Sequence, residues 1–291
     1  MKQAAPRENR LDVRKFLDEQ PFGRYHLSIV AICASIVFMD GFDAQAMGYV
    51  APALTASLKI TRAALGPAIS SGLFGMMIGA LLFGPLADKF GRKPILVLCT
   101  LIFGVGALLT ATATTVQSLV IFRILTGFGL GGAMPNTIAL TSEYMPKKSR
   151  ATSVMVMFTG FSIGAAVGGF AAAGLISRFG WKSVFVVGGI FPLLIAVIAI
   201  TALPESIRFL VLKGGQNSRV AYFLSRVAPH QRIESDTQYA VGEDTHGGKS
   251  PVVQLFREGR APITMLIWVM FFMNLLNLYF LNSWLPTVMN D

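Results

Sequence analysis

Two acidic residues three positions apart, Asp40 and Asp43, stand inside the first long apolar run of the chain, and a lone Arg123 stands inside another. An ionisable side chain at the centre of a bilayer is about 2.5 to 3.5 kcal/mol uphill, so such residues face a bundle interior or a watery cavity and act on protons, ions or substrates. The i, i+3 spacing puts both carboxylates near one face of a helix. If the two runs enter from opposite sides, a rise of 1.5 Å per residue sets Asp40 near the midplane. Asp43 then lies about 5 Å to one side of it, and Arg123 about 9 Å to the same side. All three can line one cavity. A carboxylate beside that guanidinium can trade its proton as its exposure changes, and an arriving carboxylate can take the guanidinium as a bidentate partner. The same residues also read as a structural Asp–Arg pair that fixes two helices. For the aspartates the chemical role is favoured; Arg123 serves either role equally.

The elements that must position these groups are membrane helices. Of the 291 residues 53% are hydrophobic and 14% charged, and the apolar runs are long enough to cross a core of about 30 Å. Seven spans are predicted: Tyr25 to Leu54, Arg62 to Ala87, Pro94 to Thr114, Val116 to Ser142, Thr152 to Ile176, Ser183 to Leu203 and Ala261 to Val288. With the N-terminus inside, 20 of the 25 Lys and Arg residues fall on the cytoplasmic side, as the positive-inside rule requires. Lys59, Arg62, Arg178 and Lys182 are the outer ones. Topology thus accounts for the net charge of +10 without a nucleic-acid partner.

Residues 1–24 form a cytoplasmic arm in which Leu11, Val13, Phe16 and Leu17 alternate with charges up to Pro21. The pattern fits either an amphipathic helix on the membrane face or a disordered arm, and no removed leader is read. Residues 25–203 are the six-span bundle, and the polar stretch 204–260, where mixed charges and paired glycines break the apolar periodicity, is a cytoplasmic linker. Residues 261–291 carry the seventh span, in which Asn274, Asn277 and Asn282 either line a cavity or bond across helices. The run Leu86 to Lys93 is echoed by Leu175 to Lys182, each after the second span of a three-span unit, as inverted three-plus-three repeats require. The glycines of the fourth and fifth spans are read as packing seams.

Cys33 and Cys99 lie in apolar spans with no metal or disulfide spacing, and His26, His230 and His246 are scattered. No metal, no cofactor beyond a proton gradient and no catalytic residue is expected; with no nucleotide loop or hydrolytic triad, an enzyme reading has no support.

The loop Gly84-Pro85-Leu86-Ala87-Asp88-Lys89-Phe90-Gly91-Arg92-Lys93 resembles the signature of the major facilitator superfamily. Gly84 and Gly91 would allow close helix approach and a tight turn, and Asp88 with the basic residues a cytoplasmic charge cluster that locks one conformation. In that family the aspartate and arginine of this loop help hold two halves together. The resemblance runs on through Arg123 to Gly131, Glu143 to Arg150, and Pro204 to Leu210. It assigns conformational gating to Gly84, Asp88, Gly91, Arg92, Lys93, Glu143, Arg150, Glu205 and Arg208. Asp40-Gly41-Phe42-Asp43, Tyr49 to Leu54 and Tyr279 to Pro286 look like the aromatic acid/proton symporters. In that group the first-span aspartates and the fourth-span arginine, matching Asp40, Asp43 and Arg123, are implicated in transport.

The expectation is therefore an all-α polytopic membrane protein, an N-terminal six-helix major facilitator bundle plus a seventh helix. It would sit in the inner membrane and take up small aromatic carboxylates of the 4-hydroxybenzoate or benzoate type with protons. A sugar or other solute porter is the alternative within transport, although sugar would require a denser set of amides and hydroxyls than one cation in an apolar cavity. The alternative of another class is a truncated, non-transporting fragment or interaction partner, since the family has twelve spans; a separately encoded C-terminal half would then complete it.

Overall fold

The computed structural model describes residues 10–231, 237–241, 256 and 259–288. A short helix, α1 (Val13–Glu19), precedes α2 (Arg24–Leu58), α3 (Gly66–Phe90, entered through a 3-10 turn at Arg62–Leu65), α4 (Arg92–Ala111), α5 (Val116–Tyr144), α6 (Arg150–Phe179) and α7 (Lys182–Ala202). Among the described residues these last six are long and apolar enough to cross a membrane. Even α4, with 20 residues, reaches about 30 Å at the helical rise. Two shorter helices follow, α8 (Ile207–Lys213) and α9 (Asn217–Val227). The chain divides into two units, residues 1–242 and 243–291. In the second, α10 (Ala261–Val288) is a 28-residue helix over the run expected as the seventh span.

Within the first unit the most extensive packings are α3 on α5 and α2 on α6, followed by α4 on α5 and on α7. Glycines set these crossings. A Cβ at Gly75 or Gly79 would lie 2.2 or 2.1 Å from the carbonyl oxygen of Ile124 or Phe128. At Gly160 or Gly164 it would lie 2.7 or 1.9 Å from that of Ala34 or Phe38. The two seams superimpose by a shift of 90 residues on one helix (Ala34 to Ile124, Phe38 to Phe128) and 85 on the other (Gly75 to Gly160, Gly79 to Gly164). Gly41 against Phe161 and Gly131 against Met76 obey the same two shifts. At the α4–α7 crossing the relation is reciprocal: Gly104 meets Leu193 and the Gly189 carbonyl, while Gly189 meets Leu108 and the Gly104 carbonyl. Such an exchange marks a two-fold axis, here between two three-helix units of one chain. The echoed loops close the comparison, since Gly91 (φ +107) and Gly180 (φ +79) end α3 and α6 in the region that favours glycine.

The polar stretch after α7 differs from its expected lack of periodicity. Val220, Leu224 and Val227 recur at i, i+4 and i+7 on α9 and are buried, as are Ile207 and Leu210 on α8. These side chains share one core with Val13 and Leu17 of α1 and with Ile29, Val30 and Tyr144 of the bundle. The apolar side of the arm is thus covered by protein; neither a membrane-surface helix nor a disordered arm describes residues 10–19. Asp12 caps α1 by accepting from the N–H groups of Arg14 (3.0 Å) and Lys15 (3.3 Å). Ahead of it, β1 (Arg10–Asp12) pairs in parallel with β2 (Gln238–Ala240), and Asp18 forms an ion pair with Arg150 at the start of α6.

Candidate functional site

Asp40 and Asp43 on α2 and Arg123 on α5 are 4%, 3% and 6% exposed. Arg123 grips Asp43 end-on: Nη1 donates to Oδ1 at 2.7 Å and Nη2 to Oδ2 at 2.9 Å. This bidentate geometry is among the strongest hydrogen-bonded pairings available to a protein. Two observations make it more than a helix clamp. Asp40 makes no hydrogen bond or ion pair among the described residues, although it is buried one turn from Asp43. Likewise the Nε–H of Arg123 is buried and finds no acceptor there. Helix α3 completes the surroundings, passing the guanidinium at Gly72, where a Cβ would stand 3.3 Å from Nη2.

All of these groups belong to one six-helix unit. Between the bundle interior and the watery cavity that the sequence allowed, the ionisable trio lies buried in the bundle, beside the α3–α5 seam where Gly127 meets the Gly72 carbonyl. Arithmetic on helix depth placed Asp43 and Arg123 at neighbouring levels, and the length of the arginine side chain closes the remaining gap.

The second cluster lies where α4 begins. Its N-cap, Gly91, has no side chain to offer, and Glu205 supplies the missing acceptor from 112 and 113 residues away. One carboxylate oxygen, Oε1, accepts from the N–H groups of Arg92 (2.9 Å), Lys93 (3.1 Å) and Ser206 (2.8 Å). Negative charge at a helix N-terminus also complements the helix dipole. A Cβ on Gly91 would meet Glu205 Oε2 at 2.5 Å, so the loop needs glycine there for room as well as for φ. Glu143 accepts from the Ser206 hydroxyl (2.8 and 3.0 Å) and from the Arg208 N–H (2.6 Å), and the Tyr144 hydroxyl donates to the Glu205 carbonyl at 2.6 Å.

Gly91, Arg92, Lys93, Glu143, Glu205 and Arg208 are therefore brought together, held largely by backbone N–H groups where a cluster of opposed charges was expected. Arg92 approaches Asp88 at 3.6 Å, but that carboxylate is 75% exposed and adds little. Two assigned residues go elsewhere. Arg150 bonds Asp18 and the Met145 carbonyl (3.1 Å), and a Cβ on Gly84 would meet nothing within 4 Å among the described residues, so none of them packs closely there. Asn274, Asn277 and Asn282 lie along α10; the side chain of Asn282 is outside the described residues. Sequence reasoning missed Ser206, Tyr144, Asp18 and Gly72. Ser206 had a signal, since a serine ahead of Ile207-Arg208-Phe209 is an N-cap, and it does accept from the Phe209 N–H at 3.1 Å. Replacing Glu205 by Ala strips three N–H groups of their acceptor and is expected to lower unfolding stability by about 2 to 4 kcal/mol, with Glu205→Gln losing less. Denaturant unfolding in detergent micelles checks this.

Residues 33–291 match the family model of the Major Facilitator Superfamily. The 4-hydroxybenzoate transporter PcaK of Acinetobacter baylyi is 45% identical over 290 residues, covering 99% of this chain and 63% of that protein. A gallate transporter of Pseudomonas putida is 40% identical over 281 residues, covering 97% of this chain and 62% of that one. A benzoate transport protein of Acinetobacter baylyi is 34% identical over 285 residues, covering 96% and 61%. The chain thus spans less than two thirds of the length of these relatives. Among solved structures, a double tryptophan mutant of XylE aligns with a TM-score of 0.62 at 23% identity over 70% of this chain and 50% of that one. A bacterial homolog of the human lysosomal transporter Spinster aligns at 0.56 and 20% identity over 64% and 44%. These two likenesses concern the fold alone. With its two-fold-related six-helix bundle and a family match over residues 33–291, this chain belongs to the Major Facilitator Superfamily and is a multi-pass membrane protein.

Proposed function

We propose that this chain serves the proton-coupled uptake of aromatic carboxylates of the 4-hydroxybenzoate or benzoate type by alternating access. The observation that carries the reading is the Arg123–Asp43 pair buried in an apolar bundle, with Asp40 beside it making no hydrogen bond or ion pair among the described residues. The substrate class is supported by what the relatives are named for: 4-hydroxybenzoate, gallate and benzoate. Arg123 and Asp43 balance each other, so an arriving carboxylate adds a negative charge that a buried site tolerates only with a compensating positive one. A proton held by Asp40 or Asp43 supplies it, and anion and proton cross together. The proton gradient is the driving force, with no metal or cofactor. The loop cluster around Glu205 holds one conformation. The placement is the inner membrane with the N-terminus cytoplasmic, the side where the basic loops collect.

Uptake of labelled 4-hydroxybenzoate, benzoate and glucose by cells expressing the chain, with and without a protonophore, tests this. A parallel arm co-expresses the C-terminal part of the Acinetobacter PcaK relative, because a second half on another polypeptide is the partner this reading allows. Protonophore-sensitive accumulation of the aryl acids in either arm is expected. Accumulation of glucose instead, or of nothing in both arms, overturns the reading.

A further inference from the structure

We propose that the substrate carboxylate docks on the Nε/Nη2 edge of Arg123, the edge that Gly72 faces without a side chain, while Asp43 stays on the Nη1/Nη2 edge. The proposal rests on the functional reading above and deepens it.

A guanidinium is a planar fork of five N–H donors and can meet a carboxylate in bidentate fashion along more than one edge. Asp43 uses the end-on edge, taking one hydrogen from each Nη. Along the side edge, Nε is buried without an acceptor among the described residues. Folded proteins leave few buried donors in that state, and those they leave call for an explanation. The neighbour on this side is Gly72. A Cβ there would lie 3.3 Å from Nη2, 3.7 Å from Nε and 3.8 Å from Cζ, closer to the two edge nitrogens than to the centre of the group. Helix α3 lies hard against α5 at this point, since a Cβ on Gly127 of α5 would be 1.9 Å from the Gly72 carbonyl. Glycine at position 72 thus keeps a side chain from pressing on this buried, acceptor-less edge of the guanidinium.

The placement also fixes the order of charges. Asp43, Arg123 and a docked carboxylate sum to one excess negative charge, and Asp40, buried on the same helix one turn away, is the remaining acid that can carry a proton against it. The carboxylate accepts two hydrogen bonds from Nε–H and Nη2–H, no covalent bond is made or broken except that of the proton taken up by Asp40, and both leave on the opposite side. A route in which the substrate strips Asp43 from Nη1 and Nη2 gives Gly72 no part and makes Asp43, not Asp40, the acid that takes the proton.

Calorimetric binding of 4-hydroxybenzoate to the purified chain in detergent micelles separates these routes, with the neutral 4-hydroxybenzyl alcohol as control ligand. Gly72→Ala, whose methyl group the neighbours can admit by a shift of a few tenths of an ångström, is expected to weaken binding of the acid about tenfold. Its thermal midpoint should stay near that of the unmodified chain, because the Asp43 edge is untouched. Arg123→Lys keeps the charge, lacks the second edge, and should lose affinity at least as far. Unchanged affinity for the acid in Gly72→Ala, or an equal loss for the neutral alcohol, overturns the edge assignment and leaves the aromatic-acid reading standing. No binding of 4-hydroxybenzoate by the unmodified chain, either alone or co-purified with the C-terminal part of the Acinetobacter PcaK relative, overturns that reading itself.

Discussion

Asp43→Asn should both unfold the bundle more easily and end proton-coupled uptake. Removing one member of a buried, hydrogen-bonded ion pair costs about 3 to 5 kcal/mol, because the surviving charge is left without compensation. Here the survivor is Arg123, 6% exposed and already holding one unmatched donor. The amide can accept a single hydrogen bond from the guanidinium but cannot balance its charge. Insertion is not at risk, since the apolar run around position 43 is unchanged. The contrast is Asp40→Asn: with no partner to lose, it should leave stability within about 0.5 to 1 kcal/mol of the unmodified chain while uptake loses its sensitivity to the proton gradient. Chemical unfolding in micelles read beside uptake distinguishes them. Equal stability for the two variants would mean that the Arg123–Asp43 pair is not the enclosed clamp described.

Gly41→Ala carries the second large effect. A Cβ at Gly41 would lie 2.0 Å from the Phe161 carbonyl oxygen and 2.7 Å and 2.9 Å from its carbonyl carbon and Cα. These are backbone atoms of α6, so no rotamer change can make room and the two helices must part. Overpacking of this kind costs about 1 to 3 kcal/mol and more where backbones meet. Since Gly41 sits between the two aspartates, parting α2 from α6 also moves both carboxylates, and affinity for 4-hydroxybenzoate should fall with stability. Gly84→Ala is the internal control: its Cβ would meet nothing within 4 Å, and no change in stability is expected. A Gly41→Ala chain as stable as the Gly84→Ala chain would contradict the seam.

The six spans of the bundle were legible, to within a few residues at their ends, because hydropathy over 20 or more residues needs no knowledge of contacts. The ionisable trio was legible for a related reason: a charge in an apolar run stands out whatever it touches. What could not be read was how tightly the bundle closes around it. That depends on glycine-to-carbonyl contacts between residues such as Gly127 and Gly72, whose register no linear spacing reveals. Gly84 shows the reverse: its place in a recognisable motif suggested a close helix approach, yet a Cβ there would meet nothing within 4 Å among the described residues. Residue pairs far apart in sequence, Asp18 with Arg150 or Glu205 with the start of α4, were similarly out of reach. Yet the i, i+4, i+7 pattern of Val220, Leu224 and Val227 was on the page and was masked by the polar composition around it.

The central claim is that an aromatic carboxylate binds beside Arg123 together with a proton carried by the neighbouring acid. Its most direct test is the proton balance of binding, obtained by titrating 4-hydroxybenzoate into the purified chain in two buffers of different ionisation enthalpy at the same pH. The account predicts proton uptake with each carboxylate bound, and loss of that uptake in Asp40→Asn. Carboxylate binding with no proton taken up, or uptake unchanged in Asp40→Asn, would contradict it.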